Sequence, residues 1–413
     1  MARGRLPGVE RDERVVCHVD MDCFYAACER LREPALEGEP VVVGMGYEPG
    51  ETIGAVATAS YEAREFGVDS AMPITEALSK LPRKVDAAKE GNDPSEAGFY
   101  RPVDMAYYKE VSREVKAVLH DLVSSADPDG VVREVSIDEA YLDVSGVGWD
   151  GAEAFAYSLK KCIAEEVGVT ASVGVAPNMS TAKVASDYEK PDGCTVVRPE
   201  DVEAFLAPLP VSELHGVGPK TAATLAEEGI ETAGELAAAA PSLLKKRFGE
   251  RGKEIHAHAQ GRDDRAVTPV GKPKSLSSES ALPPTSELET KRDIVRGLAS
   301  EVAERADSKG ALYRTIGIKV VEPPFEVNTR ATSLPGPVAN PDLVERTALS
   351  LLEEFDDVRV RKLGVRVSNL SFSDAEQASL AGFETGDMGS EVERPRSFPS
   401  RPARGQTSLQ DFE

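Results

Sequence analysis

"CHVDMDCFYAACER" (residues 17–30) begins as a buried strand and then breaks its own pattern. Two carboxylates, Asp20 and Asp22, interrupt the apolar run, and an aromatic pair, Phe24 and Tyr25, follows at once. If residues 15–20 form a strand, alternation sets Val16, His18 and Asp20 on one face and Cys17 and Val19 on the other. A carboxylate at such a strand end faces either solvent or a site. A second stretch, "VVREVSIDEAYLDV" (131–144), decides between the two. It reads as two β-type runs hinged at Asp138-Glu139, where a tight hairpin would favour Asn-Gly or Asp-Gly. Asp-Glu is poor turn chemistry, and local rules are broken where function overrides them. Asp20 and the Asp138-Glu139 pair are therefore expected at one end of a common sheet. Three adjacent carboxylates repel one another unless a divalent cation sits among them, and hard oxygen ligands suit Mg²⁺. Two such ions about 3.5–4 Å apart make a clamp for in-line phosphoryl displacement.

Outward from these stretches, residues 14–205 read as mixed α/β. Short β-rich runs such as "PVVVG", "AVATAS" and "VTASVGVA" alternate with long helical patterns over 105–123 and 151–168. Residues 89–98, "KEGNDPSEAG", read as a polar loop insertion. From 206 to 265 the pattern is helical, cut into short helices by Gly and Pro. A linker over 267–280 leads into a second α/β unit ending near 372, and the Ser, Gly, Glu, Pro and Arg of 373–413 read as a disordered tail.

The 413 residues allow two to four domains, and 41% hydrophobic with 29% charged residues fits a soluble globular chain. No apolar stretch is long enough for a membrane span, and the N-terminal residues lack a secretory apolar region. Five cysteines without a CxxC pair suit a reducing cytoplasm, with Cys17, Cys23 and Cys28 as packing residues rather than zinc ligands. His256 and His258 read as surface or core residues. A net charge of −23 argues against nucleic-acid binding unless salt screens it. At ~1 M salt the Debye length is about 3 Å, so a saline cytoplasm would remove the conflict.

Taken together, "DMDCFYA", "VATASYEAREFGV", "SIDEAYLDV" and "VGVAPNMSTAKVASDYEKPDG" resemble the Y-family of translesion DNA polymerases, most closely its DNA polymerase IV branch. The resemblance spans residues 14 to about 370. It implies a right-hand architecture: palm and fingers over 14–205, a thumb over 206–265, and an α/β little finger over 266–372. It implies a low-fidelity, template-directed DNA polymerase from a salt-adapted archaeon, a cytoplasmic monomer without a proofreading exonuclease, using two Mg²⁺ ions. Its partners would be primer-template DNA and deoxynucleoside triphosphates.

In the same terms, Asp20 and Asp138 match the metal-holding acids, Glu139 the catalytic acid, and Met21 a backbone-carbonyl ligand. Asp22 is read as a group behind the site or as part of the turn. Tyr25 matches the ring that blocks a ribose 2′-hydroxyl; a core ring is the bland alternative. Thr58, Tyr61, Arg64 and Lys190 match triphosphate contacts, with Tyr61 and Arg64 on one helix face. Ala55, Ala57 and Ala71 fall on the fingers roof over the nascent pair. "LHGVGPKTAATLAEEGI" (214–230) resembles a helix-hairpin-helix in which Gly216, Gly218 and Lys220 meet DNA phosphate. Arg361, Lys362 and Arg366 are little-finger candidates. The final "QTSLQDFE" resembles a sliding-clamp motif through Gln406, Leu409 and Phe412, although the chain ends at Glu413 where a second aromatic often stands. The rival readings are a nucleotidyl cyclase, and an inactive, clamp-tethered DNA-binding protein.

Overall fold

The computed structural model describes residues 14–372, other than 49, 52 and 92. The tail with Gln406, Leu409 and Phe412 lies outside the described residues. The chain divides into two compact units between Val270 and Gly271.

In the first unit the strands are β1 Val16–Met21, β2 Val41–Gly44, β3 Val56–Ala59, β4 Phe99–Arg101, β5 Val131–Glu134, β6 Glu139–Asp143, β7 Ala171–Ala176 and β8 Cys194–Val196. Its helices are α1 Phe24–Arg32, α2 Tyr61–Glu65, α3 Ile74–Lys80, α4 Lys84–Glu90, α5 Met105–Ala126, α6 Gly148–Glu166, α7 Met179–Tyr188, α8 Val202–Leu206, α9 Pro219–Glu227, α10 Ala233–Ala238, α11 Pro241–Phe248 and α12 Glu250–Ala259.

The main sheet runs β5-β6-β1-β7-β8, with β1 central and antiparallel to both neighbours. Every residue of β1 is buried, because helices cover both faces. Cys17, Val19 and Met21 pack with residues of α5 and α6, such as Val115 and Leu159. Val16 faces the opposite way and packs with Ala182 and Ala185 of α7. Each fully buried aliphatic side chain contributes about 1.5–3 kcal/mol, so slipping β1 by one residue would forfeit several such terms at once.

Gly174 on β7 lets α7 lie this close. A Cβ there would come within 2.2 Å of the Ala182 carbonyl oxygen and the Ser186 nitrogen. Asn178 starts α7 by accepting from the Thr181 N–H at 3.0 Å.

A small sheet, β3-β2-β4, carries α2 and α3, and α4 begins beside it, where the Lys84 N–H donates to the Gly98 carbonyl at 2.9 Å. Here the structure differs from the loop expected over 89–98. Part of that stretch ends α4, Pro94–Glu96 make a 3₁₀ turn, and β4 follows, parallel to β2. Only three residues of β4 pair, too few to show an alternation.

The second unit holds β9 Ser275–Thr285, α13 Leu288–Ser308, β10 Tyr313–Glu322, β11 Glu326–Val338, α14 Pro341–Leu352 and β12 Val360–Ser368. Its sheet runs β11-β10-β12-β9. Both helices pack on the face bearing Ile316, Ile318, Leu363 and Val365. The other face carries Ser277, Glu279, Gly317, Lys319, Lys362, Gly364 and Arg366 in register.

Candidate active site

Asp20 is the cross-strand partner of Glu139 in the β1–β6 ladder, and the Met21 N–H donates to the Asp138 carbonyl at 3.0 Å. The two acidic stretches therefore meet at one end of the sheet. The turn that lacks glycine is shaped by Ser136 instead. Its Oγ accepts from the N–H groups of Asp138 and Glu139 at 3.1 and 3.0 Å, and its hydroxyl donates to the Asp138 carboxylate.

Asp20 is 8% exposed. Burial would raise its carboxyl, but the Lys183 and Lys190 ammonium groups outweigh that and hold it well below the usual carboxylate range. Glu139 behaves oppositely: burial drives its carboxyl up to about 7, against Lys183 and with the help of the Asp20 charge. Burial also raises Asp138.

Two lysines that the carboxylate argument did not anticipate stand among these acids. Lys183 on α7 donates to Asp20 Oδ2 at 3.2 Å and to Glu139 Oε1. Lys190 pairs with Asp20 Oδ1 at 2.8 Å and with Asp187 Oδ1 at 2.7 Å. Mutual repulsion of the acids is thus relieved by ammonium groups. Among the described residues, no three His, Cys, Asp or Glu side chains are already gathered as a ligand set. Lys183 could have been suspected from "TAKVASDYEK", where it precedes Lys190 on the helix that leads to it.

His18 lies behind the pair, fully buried, with Nδ1 2.7 Å from Ser186 Oγ. The Ser186 hydroxyl donates to the Lys183 carbonyl at 2.8 Å. Nε2, on the other side of the ring, has no hydrogen-bond partner and lies 3.9 Å from Glu139. Burial keeps this imidazole neutral.

Asp22 turns away from this cluster. Its carboxylate accepts from the Tyr61 hydroxyl at 3.1 Å, the Ser172 hydroxyl at 2.9 Å and the Asp192 N–H at 2.8 Å. It is 1% exposed and joins the start of α2 to the loop bearing Lys190. Arg64 stacks over the Tyr61 ring at 4.6 Å, and its Nε donates to the Ala59 carbonyl. Thr58 lies on β3, opposite Val43. Ala55 bridges to Pro73, and the Ala71 N–H donates to Val56, so Ala55, Ala57 and Ala71 lie around one strand.

After β1 the chain reverses through Cys23, which sits in the left-handed region at φ 39°, and enters α1 with Phe24 and Tyr25. Tyr25 is 2% exposed. Burial, and then the Asp138 charge, push its hydroxyl up to about 12, so the ring lies within electrostatic reach of the acids. Further along the unit, Gly216 has φ 93°, a backbone region open chiefly to glycine, and Gly218 precedes α9 with Pro219 in its first turn.

A buried sheet that ends in opposed acids, with lysines from a packed helix and the loop after it set among them, has the layout of a polymerase palm. Sequence profiles agree. The impB/mucB/samB family matches residues 19–187, that family's C-terminal domain matches 273–380, and the IMS family HHH motif matches 199–230. The chain is 59% identical to a protein named DNA polymerase IV from Halobacterium salinarum, covering 99% of this chain and 98% of that one. A protein of the same name from Methanoculleus marisnigri is 40% identical over 90% of this chain and 98% of its own length. Among solved structures, the "Y-family DNA polymerase chimera Dbh-Dpo4(243-245)-Dbh" superposes with a TM-score of 0.75 at 27% identity, covering 87% of this chain and all of that one. The "Insertion ternary complex of Dbh DNA polymerase" gives 0.60 at the same identity and coverage. The chain belongs to the Y-family of DNA polymerases, in its DNA polymerase IV branch.

Proposed function

We propose that this chain extends a primer 3′ end on a DNA template with low fidelity, in translesion synthesis, at the corner bounded by Asp20, Asp138 and Glu139. The observation that carries this reading is the register of Asp20 against Glu139, with Asp138 in the adjoining turn. The donor set fits Mg²⁺: every side-chain ligand offered is a carboxylate oxygen, and burial raises the carboxyls of Asp138 and Glu139, a cost that a divalent cation would offset. Two Mg²⁺ ions held by Asp20, Asp138, Glu139 and the Met21 carbonyl would activate the primer hydroxyl and neutralise the triphosphate.

The chain's own residues do the rest. Tyr61, Arg64 and Thr58 on one side and Lys190 on the other bind the triphosphate, and Tyr25 lies beneath the sugar and excludes a 2′-hydroxyl. Gly216 and Gly218 bring backbone N–H groups to DNA phosphate, and Lys220 adds charge. We assign 14–205 to palm and fingers, 206–265 to the thumb and 266–372 to the little finger, whose open sheet face grips the duplex. Lys362 and Arg366 lie on that face, while Arg361 stacks over Phe325 at 4.0 Å. Gln406, Leu409 and Phe412 tether a sliding clamp. The five free cysteines suit a reducing cytoplasm, in which we place a monomer.

Primer extension with Mg²⁺ tests the assignment. Asp138→Ala and Glu139→Ala should each lose about a thousandfold or more in rate while still binding DNA. Phe412→Ala should keep the basal rate and lose stimulation by the clamp. Acid variants as active as the parent chain would refute the assignment.

A further inference from the structure

Lys183 occupies oxygens that a metal ion would need. Its ammonium donates to Asp20 Oδ2 at 3.2 Å and to Glu139 Oε1, while Asp187 Oδ2 stands 3.5 Å away, one turn along the same helix. The Lys183 side chain is 24% exposed and that of Asp20 11%, so this is no solvated surface pair. Lys190 holds the other oxygen of Asp20 at 2.8 Å. With neither lysine present, the two acids opposed across the ladder would face each other in a half-buried corner without a counter-charge.

We propose that Lys183 is an internal counter-cation: it holds Asp20 and Glu139 together before a divalent ion binds, and moves onto Asp187 to release their oxygens when one does. This rests on Asp20 and Glu139 being metal ligands, as proposed above. Lysine suits the part, being a compact charge on a flexible stem with three donors. Asp187, with a side chain 48% exposed, offers a resting partner a side-chain rotation away. Because Lys183 and a divalent ion exclude each other from Asp20 Oδ2 and Glu139 Oε1, the lysine trades metal affinity for a site that stays assembled without metal. Lys183 is here a positioning residue, acting through the acids.

The test is a Mn²⁺ titration of the full-length, nucleotide-free protein, with free ion read by electron paramagnetic resonance. Lys183→Met should bind Mn²⁺ about tenfold tighter than the parent chain, and Lys183→Arg should bind as the parent does. In chelator, Lys183→Met should melt at a lower temperature, and saturating Mn²⁺ should close the gap. Lys183→Gln gives the same comparison should the methionine variant fail to fold. A lysine lying clear of both acids would leave affinity nearly unchanged when replaced by methionine. Equal or weaker Mn²⁺ binding by the folded variants overturns the inference. Glu139→Gln separates the two layers. If it binds Mn²⁺ like the parent, the ligand assignment has failed; if it binds weakly while Lys183→Met is no tighter, the counter-cation role alone has failed.

Discussion

The Tyr25 ring lies nearly parallel to that of Tyr108, with centroids 4.6 Å apart and planes 17° from coincidence. The Tyr108 hydroxyl is itself fixed, donating to Glu29 Oε1 at 2.7 Å. A ring backed in this way is held in place, which suits the role beneath the sugar proposed for Tyr25.

Tyr25→Ala should therefore keep DNA synthesis while acceptance of ribonucleotides rises by about a hundredfold, measured as the ratio of kcat/KM for ribo- and deoxynucleotides. Tyr25→Phe should keep the selectivity. Unchanged sugar selectivity in Tyr25→Ala would remove Tyr25 from this role.

Asp22 should act on nucleotide binding through the groups it holds. Asp22→Ala leaves three donors without their acceptor, including Tyr61 and the N–H beside the Lys190 loop. KM for the incoming nucleotide should rise about tenfold or more, with a smaller change in kcat, because each unsatisfied buried donor costs roughly 1–3 kcal/mol. Asp22→Asn, which keeps part of the network, should fall between. A kcat loss of several orders with KM unchanged would instead make Asp22 part of the reacting centre.

Glu279 sits between Lys319 at 2.9 Å and Lys362 at 2.5 Å on the open sheet face. Glu279→Gln should free both ammonium groups and tighten duplex binding roughly fivefold, with a salt dependence steeper by about two counterions. Stability should move the other way. Burial would raise the Glu279 carboxyl, but the two lysines prevail and lower it below its ordinary value of 4.5. Its folded form thus releases the proton more readily than the unfolded chain. The stabilisation is complete above pH 4.5 and is lost as pH falls through the depressed value. Acid melts of Glu279→Gln should be flatter across that range, and parallel melts for the two proteins would contradict the pairing.

Screening should govern the whole chain. With a net charge of −23, activity and stability should both be greatest in molar KCl. Maximal activity in dilute buffer, with loss at molar salt, would refute a salt-adapted origin.

The sequence makes the strand-borne part of the site legible because a strand has a period of two. Val16, His18 and Asp20 share a face in β1, and the strand that starts at Glu139 pairs with it so that Glu139 stands opposite Asp20. What fails to show is what depends on packing between layers. Lys183 reaches Asp20 because Gly174 lets α7 lie directly on β7, a closeness no periodicity reports. Ser136 replaces the missing turn glycine with a side-chain acceptor, which reads in sequence as an unremarked serine. The partners of Asp22 come from residues 61, 172 and 192, too scattered for spacing to join them. In β9, Glu279 reads as one more surface acid until Lys319 and Lys362 are seen beside it.

The most direct test of the central claim is an anomalous-scattering map from crystals of the full chain with primer-template DNA, a non-hydrolysable deoxynucleotide and Mn²⁺. The account predicts two peaks about 2.1 Å from carboxylate oxygens of Asp20, Asp138 and Glu139, with Lys183 withdrawn from Asp20 and Glu139. A nucleotide bound in that corner with no peak touching Asp20 or Glu139, and Lys183 still paired to both, would contradict it.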